Sequence, residues 1–461
     1  MVKNRAKKTA LGIVAILTGA AIIIGIAGWG KEMGIKSQVT EHTLDNGLKV
    51  LIQVDKRAPI ASVQIWYRVG SADEVRGMTG ISHALEHMMF RGTPKYPNDS
   101  YSEQIAKNGG RDNAFTTQDF TGYYANVDKS KVALCFELEA DRMQHLTLDP
   151  ALFQLEMKAV REERRLRTDD SPKAGTFERF LASAHPNGPY HHPVIGWMED
   201  LHYFTAEDLR AWYQRFYVPN NAILVVVGDV EPQEIMSLVQ KYFGTIPKKP
   251  LPILLPGKDV PALGERRIKV EYPAELPYLI MGYEVPSLIT AQESWEPYAL
   301  AVLANALDGG ESARLPKHLV REKEICASCS AYYDFLQRYD TQFILRGTPS
   351  AASTPLQLEQ GFQTELTRLK TELLDEKELA RIKMQLMASE VYGQDAITDQ
   401  AERLAAFESV GSSWQTSQQF INHIQAVTAK QVQQVAQKYL INKRLTVAEL
   451  VPMKRENHAK K

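Results

Sequence analysis

The spacing between hydrophobic residues changes several times along this chain, and each change predicts a new helix or strand. Short runs in which apolar and polar residues alternate predict β-strands. In one such run Val63, Ile65 and Tyr67 alternate with polar or amphipathic residues, which predicts a strand with a single buried face. Longer segments between the runs predict helices. We expect strands at residues 48–54, 62–67 and 121–127, and helices at residues 80–92, 130–146 and 150–166.

The first 34 residues differ from this pattern. Their basic residues come first: Lys3, Arg5, Lys7 and Lys8. An uncharged stretch at residues 10–29 follows and is long enough to span a bilayer. The charges predict a cytoplasmic N-terminus and an exported body from Lys31 onward. We expect a single-pass membrane anchor facing the periplasm or another extracytoplasmic side. The alternative is a cleaved signal peptide, which leaves a periplasmic protein.

The second half of the chain repeats a segment of the first half. The run that begins at Thr205 recurs as the run that begins at Thr428, which indicates a duplicated domain. Several prolines between the halves predict a stiff linker at residues 247–265. We therefore predict a first domain at residues 38–246 and a homologous second domain at residues 266–455.

Composition narrows the class of protein. The chain has 461 residues, of which 44% are hydrophobic and 24% are charged, as in globular proteins. The net charge of −1 gives no electrostatic reason to expect a nucleic-acid partner. With three cysteines, disulfides do not form the framework of the fold.

Candidate chemistry first appears on the helix predicted at residues 80–92. His83 and His87 are four residues apart, so both imidazoles lie on one helical face, and Glu86 leans over the same face. Two imidazoles and a carboxylate suit a zinc ion. The order H-x-x-E-H is the inverzincin motif. The alternative is a surface helix that carries two histidines.

The helix predicted at residues 150–166 holds the acidic candidates for a third ligand. Glu156 and Glu163 are seven residues apart and share a face, while Glu162 points about 100° away. One carboxylate of the aligned pair can bind a metal, and the other can orient a ligand. Several arginines crowd the same segment, so a solvated charged helix remains the alternative.

Together these motifs resemble the pitrilysin–insulinase family of zinc peptidases, which includes the mitochondrial processing peptidases. The resemblance extends over residues 39–452 and includes the run from His87 to Thr93. It implies that His83, His87 and Glu163 bind one Zn²⁺ per chain, with Glu156 in the outer shell and Glu86 as the general base. The second half lacks H-x-x-E-H, so we expect it to be catalytically silent.

The resemblance also implies the fold and the peptide site. It implies an α+β protein of two tandem homologous α/β domains, each a mostly antiparallel sheet packed against helices, after an N-terminal hydrophobic helix. The resemblance further implies that an exposed edge strand in the first domain takes up the peptide by β-strand addition. The residues that correspond to this strand are Asn113, Ala114 and Phe115. The alternative for this segment is an ordinary glycine-rich turn into a strand.

One position departs from the family pattern. Relatives that complete the substrate site from the second half carry an arginine and, seven residues later, a tyrosine. Here the arginine is Arg321, but the tyrosine position is Ser328. We therefore expect a dimer, preferably with a related chain that supplies the arginine–tyrosine pair. Two function classes remain: an exported zinc endopeptidase acting on peptides or unfolded segments, and a non-catalytic structural or binding subunit.

Cys326 and Cys329 have C-x-x-C spacing within a predicted strand. Residues three apart on a regular strand face opposite sides and are about 10 Å apart, too far for a disulfide. We therefore interpret them as structural thiols rather than as a redox or metal site.

Overall fold

The computed structural model describes residues 39–252, 259–260 and 263–453. The predicted membrane segment at residues 10–29 and part of the predicted linker lie outside these ranges. Within them, no helix combines the length and the apolar character that crossing a membrane requires.

The first half of the described chain forms a six-stranded sheet in the order β1-β2-β6-β3-β5-β4. The β2–β6 pair is parallel, and the β6–β3, β3–β5 and β5–β4 pairs are antiparallel. The strands of this sheet are β1 Val39–Thr43, β2 Lys49–Val54, β3 Ile60–Tyr67, β4 Arg111–Thr116, β5 Thr121–Asp128 and β6 Ala222–Gly228.

Helices of the first half connect and cover these strands. They are α1 Ile81–Met88, α2 Ser100–Lys107, α3 Val132–His145, α4 Pro150–Arg164, α5 Pro172–Ala184, α6 Asp200–Tyr203, α7 Ala206–Phe216 and α8 Pro232–Phe243. A π-helical turn, Arg165–Asp169, follows α4, and short 3₁₀ turns occur at Ser71–Asp73, Lys129–Lys131 and Pro219–Asn221.

The second half repeats the arrangement around a five-stranded sheet in the order β7-β11-β8-β10-β9. Its β11–β7 pair is parallel, and its other pairs are antiparallel. The strands of this sheet are β7 Arg266–Pro273, β8 Tyr278–Val285, β9 Cys326–Tyr333, β10 Thr341–Pro349 and β11 Leu445–Met453.

The helices of the second half are α9 Glu296–Asp308, α10 Pro355–Thr371, α11 Glu376–Tyr392, α12 Ile397–Ser409, α13 Trp414–Gln418, α14 Phe420–Ala426 and α15 Ala429–Tyr439. A π-helical segment, Leu315–Glu322, precedes β9, and a 3₁₀ turn, Asn442–Arg444, precedes β11. The predicted α+β class with two tandem domains is therefore confirmed. The residue boundaries of the domains stay a prediction.

In each half, helices of the same half cover one face of the sheet. A helix from the other half packs on the opposite face. Helix α12 of the second half packs on β3 and β6, and α5 of the first half packs on β7, β8 and β11. In the second contact Phe180 sits where a side chain on Gly282 would lie, 2.2 Å from an added Cβ.

This exchange explains why the prediction of a single buried face on β3 is wrong. Ser62 and Gln64 are both fully buried. The Gln64 amide donates to the carbonyl oxygen of Thr398 on α12 at 3.1 Å. Gln53 on β2 is likewise hydrogen-bonded to Gln400 on α12. Polar side chains on this face are buried because a second-half helix satisfies their hydrogen bonds.

Arg338 of the second half joins the halves through two buried carboxylates of the first half. Its guanidinium donates to both oxygens of Asp73, at 3.0 and 2.7 Å, and to Asp119 at 2.9 Å. Tyr190 also donates to Asp119 at 2.8 Å. The side chains of Asp73 and Asp119 are only 1% and 2% exposed, and Arg338 is the cation that pairs with both of them.

We predict that Arg338→Gln lowers the free energy of unfolding by about 3–5 kcal/mol, because the substitution leaves buried carboxylates without their cation. Urea unfolding measures the change. Arg165→Gln is the control, since Arg165 pairs with Glu162 at the surface and its loss costs less than about 1 kcal/mol. Equal, small effects of the two substitutions would contradict the prediction.

Candidate metal centre

The H-x-x-E-H residues lie on helix α1, which is fixed at its N-terminus by a buried carboxylate. Gly80 precedes the helix with φ of 88°, a conformation that favours glycine. The backbone N–H groups of Gly80 and Ser82 donate to Glu74 at 2.7 and 2.9 Å. A negative charge near the N-terminus of a helix interacts favourably with the helix dipole and stabilises the helix. The helix ends at Met88, so the predicted extension to Gly92 is wrong, since Phe90 and Arg91 form tighter i→i−3 turns.

Helix α4 brings Glu163 against the two histidines. This helix starts with Asp149 as its N-cap and Pro150 in its first turn, a combination that fixes where it begins. The Nε2 atoms of His83 and His87 lie 3.7 and 3.4 Å from Glu163 Oε2. One ligand atom from each of the three residues can be chosen so that all lie within 4.8 Å of one another. The structure thus brings the three predicted ligands together.

This donor set fits a zinc ion. Ligand atoms about 2.0–2.2 Å from a tetrahedral zinc lie about 3.3–3.6 Å from each other, and the two histidine–Glu163 distances are close to that range. Two imidazole nitrogens and one carboxylate are also the ligand types of catalytic zinc sites, which keep a fourth position open. The role of these residues as zinc ligands stays a prediction.

Glu156 contacts the other nitrogen of His87. Its Oε2 lies 3.3 Å from His87 Nδ1, and its Oε1 lies 2.7 Å from Arg91 Nη2. A carboxylate in this position fixes the orientation of an imidazole whose second nitrogen binds a metal. Glu156 and Glu163 therefore share a face of α4, as predicted. Glu156 lies next to Nδ1 of His87, and Glu163 lies next to Nε2 of the same ring.

Burial and the carboxylates of Glu156 and Glu163 shift the pKa values of the two histidines. Burial and the neighbouring His87 lower the pKa of His83 to about 4, so His83 is neutral at pH 7. Burial also lowers the pKa of His87, but Glu156 and Glu163 outweigh it and raise the pKa to about 9. A hydrogen bond from His87 lowers the pKa of Glu163. A cation that binds here replaces the proton on His87.

Glu86 lies on the same face and touches a strand of the sheet. The Thr116 hydroxyl on β4 donates to Glu86 Oε2 at 2.5 Å. Burial raises the pKa of the Glu86 carboxyl, which brings it nearer to the range that suits a general base. Thr116 therefore holds the candidate base in place.

The predicted substrate residues occupy β4, the edge strand of the first sheet. The Asn113 side chain is exposed, while Ala114 is partly buried against the core. Phe115 packs edge-on against Trp66, with ring centroids 5.0 Å apart. Arg321 lies in the second half and pairs with Glu311 at 2.7 Å, so its described ion pair does not involve the candidate metal ligands.

Sequence reasoning missed three neighbours of the site. Arg167 follows Glu163 by four residues, so helical spacing could have found it, whereas Arg91 lies in the turn after α1 and contacts Glu156 on another helix. Arg167 Nη1 lies 2.8 Å from Glu163 Oε1. Thr116 had no comparable signal, because its contact with Glu86 depends on how β4 lies against α1.

Sequence comparison identifies the family. The description "Insulinase (Peptidase family M16)" matches residues 49–196, and "Peptidase M16 inactive domain" matches residues 203–386. The chain therefore belongs to the pitrilysin–insulinase (M16) peptidase family, as its motifs implied. The word "inactive" in the second description agrees with the lack of an H-x-x-E-H motif in the second half.

Relatives of similar length carry protease names. The chain is 29% identical to the zinc protease PqqE of Helicobacter pylori, over 88% of this chain and 90% of the relative. It is 26% identical to the uncharacterized zinc protease YmxG of Bacillus subtilis, over 86% and 95%. The crystal structure of a protease from Helicobacter pylori matches with a TM-score of 0.85 at 28% identity, over 90% of this chain and all of that one.

We predict that Glu163→Gln weakens zinc binding by more than about 100-fold, because a neutral amide replaces the anionic ligand and even outer-shell changes cost about 10–100-fold. Competition with a chromogenic chelator measures the affinity. Glu162→Gln is the matched control: this neighbouring carboxylate is exposed and pairs with Arg165. If both variants bind zinc as the wild type does, Glu163 is not a ligand.

Proposed function

We propose that this chain is a zinc-dependent endopeptidase that hydrolyses peptides or unfolded polypeptide segments. The observation that carries the proposal is the convergence of His83, His87 and Glu163 on one point beside Glu86. Membership of the M16 family and relatives named zinc proteases support the same reaction. The competing interpretation, a non-catalytic structural or binding subunit, explains neither the intact ligand set nor the adjacent carboxylate.

In this proposal His83, His87 and Glu163 hold one zinc ion. When bound, zinc supplies Lewis acidity that lowers the pKa of water and polarises a peptide carbonyl. Glu86 takes a proton from the attacking water and delivers it to the leaving amine. Its raised pKa suits both steps, because a carboxyl that is too acidic holds a proton poorly. Glu156 keeps His87 in the ligating orientation through Nδ1.

The peptide binds as an added strand on the free edge of β4. Edge strands present unpaired N–H and C=O groups to a second chain. Asn113 and Ala114 contribute the backbone of this edge, and Phe115 stiffens it through its contact with Trp66. Thr116, on the same strand, contacts Glu86. A peptide on β4 therefore lies next to the general base.

We further propose that the reaction takes place outside the cytoplasm. The support is the basic cluster and the uncharged stretch at residues 10–29. Whether this segment stays as a single-pass anchor or is removed as a signal peptide is decided by the N-terminus of the mature protein.

We predict that Glu86→Gln retains zinc but lowers the rate of peptide hydrolysis by about 10²–10⁴-fold, since the amide cannot accept the proton of the attacking water. Chelator-sensitive hydrolysis of an unstructured fluorogenic peptide and zinc content are measured together. Glu162→Gln serves as the control that keeps both properties. Near-normal turnover of Glu86→Gln would show that Glu86 is not the base.

The same assay separates the two function classes. A zinc-loaded wild-type chain that binds peptides but does not hydrolyse them, alone or with a partner, favours the binding subunit. Hydrolysis that a chelator abolishes and added zinc restores favours the peptidase.

We also propose a dimer in which a related chain supplies an arginine–tyrosine pair. Ser328 replaces the expected tyrosine and is exposed on β9, the edge strand of the second sheet. Arg321 is itself exposed and pairs with Glu311. A chain that carries the zinc ligands but lacks the tyrosine needs this contact from elsewhere. Homodimers lack the tyrosine at this position as well, which favours a heterodimer.

We predict that the purified chain alone is a weak peptidase and that a zinc-free paralogue with the arginine–tyrosine pair raises its rate. Titration of the paralogue against a fixed amount of the chain measures the gain. A paralogue with its tyrosine replaced by serine is the control. A fully active isolated chain would rule out the heterodimer.

A further inference from the structure

A cavity of about 530 Å³ lies where helix α5 of the first half meets the edge of the second sheet. Sites for small molecules usually have volumes of about 300–1,000 Å³. Helix α5 contributes Lys173 to the cavity, and strand β10 contributes Arg346. Each half of the chain therefore supplies one cation. None of the described residues that line the cavity is an aspartate or a glutamate.

Neutral groups hold both cations in place. Lys173 Nζ donates to the Thr348 hydroxyl at 3.0 Å and lies 4.9 Å from the centre of the Tyr278 ring. Arg346 Nε donates to the Ser330 hydroxyl at 3.1 Å. Among the described residues, neither cation forms an ion pair with a carboxylate. Their charges are therefore available to a ligand, and the contacts that already fix the side chains reduce the entropy that binding costs.

The two cations approach the same face of β10. Arg346 and Thr348 are two residues apart, so they share a face and are about 6.6 Å apart along the strand. The hydrogen bond to Thr348 therefore brings the Lys173 ammonium to the neighbouring position on this face. One small anion can contact both cations.

The edge strand β9 adds hydroxyl groups to the same face. Ser330 lies opposite Arg346, and Ser328 lies opposite Thr348. Residues directly opposite each other project from the same face of a sheet, and both serines line the cavity. Ser328 occupies the position where the family pattern has a tyrosine, and its small side chain leaves this wall open. Hydroxyl groups donate hydrogen bonds to anions.

The acidic residues just before α5 are already paired with arginines of the first half. Asp169 lies 3.3 Å from Arg164, and Asp170 lies 3.2 Å from Arg165. Ser171 caps the N-terminus of α5 and lines the cavity, so the positive end of the helix dipole also faces it. The surroundings of the cavity thus favour an anion.

We propose that this cavity binds a small divalent oxyanion, which bridges Lys173 of the first half and Arg346 of the second half. Phosphate groups and dicarboxylates share the required chemistry, because their oxygens carry two negative charges and accept hydrogen bonds from ammonium, guanidinium and hydroxyl groups. An anion between the two cations also offsets their mutual repulsion. This site is separate from the candidate metal centre and does not depend on peptide hydrolysis.

Isothermal titration calorimetry on the native full-length chain tests the proposal. Inorganic phosphate and succinate are titrated separately at constant ionic strength and mildly alkaline pH, where each probe carries two charges. We expect saturable binding at one site per chain. Binding of phosphate alone assigns a phosphoryl ligand, binding of succinate alone assigns a dicarboxylate, and binding of both assigns a general oxyanion site. If neither probe binds saturably, the proposal is wrong.

Charge variants locate the bound anion. Lys173→Gln and Arg346→Gln should each weaken binding by about 10–100-fold, because each removes a hydrogen bond between charged groups. Arg165→Gln is the matched control, since it removes an exposed cation that pairs with Glu162, and it should bind as the wild type does. Wild-type affinity of both cavity variants would place the anion elsewhere. Loss of affinity in only one of them would contradict the bridge between the halves.

Thermal unfolding gives an independent measurement. An anion that binds the folded chain raises its unfolding temperature, so a saturating probe should stabilise the wild type. The double variant Lys173→Gln with Arg346→Gln corrects for the general stabilising effect of phosphate on folded proteins. We expect a larger rise for the wild type than for the double variant. Equal rises would overturn the proposed site.

Discussion

The close approach of helix α4 to helix α1 is the constraint on which the candidate metal centre depends. Glu163 and Glu156 are two turns apart on α4, and they meet the two nitrogens of a single imidazole, His87. Like charges held this close repel unless cations or protons compensate them. Arg91, Arg167 and the proton on His87 supply that compensation. The helix pair thus holds a set of donor atoms that fits a divalent cation.

The second half lacks an H-x-x-E-H motif, yet it contacts the segments that surround the candidate metal centre of the first half. Helix α12 buries polar residues of β3, and Arg338 neutralises Asp73 and Asp119. Asp73 is followed by Glu74, whose carboxylate holds the N-terminus of α1. Asp119 lies in the turn between β4, which carries Thr116, and β5. One arginine therefore ties together the segments that lead to His83 and to the strand beside Glu86.

The spacing of residues in the sequence is sufficient to predict the candidate metal ligands and several strands of the first sheet. Four-residue and seven-residue intervals place His83 with His87 and Glu156 with Glu163, because helical geometry repeats regardless of context. Strand periodicity located β2, β3 and β5 for the same reason. The class of protein followed from these motifs combined, and the comparisons confirm the family.

Features that depend on pairing between distant segments were missed. The exchange of α5 and α12 leaves no periodic signal in the sequence, so the alternation along β3 predicts a polar face in solvent that the structure does not have. Thr348 on β10 pairs with Ser328 and Pro349 pairs with Cys326, so Ala327 is an extra residue in a β-bulge. The bulge puts Cys326 and Cys329 on the same face, so the prediction of opposite faces, which assumes a regular strand, is wrong. The end of α1 at Met88 was missed because the next residues form tight turns.

The central claim is that His83, His87 and Glu163 bind one zinc ion. The most direct test is anomalous diffraction at the zinc absorption edge on crystals of the zinc-loaded chain. The account predicts one anomalous peak per chain, within about 2.0–2.2 Å of the nearest nitrogen of each histidine and of a Glu163 oxygen. A zinc peak elsewhere, or none at these residues, would contradict it.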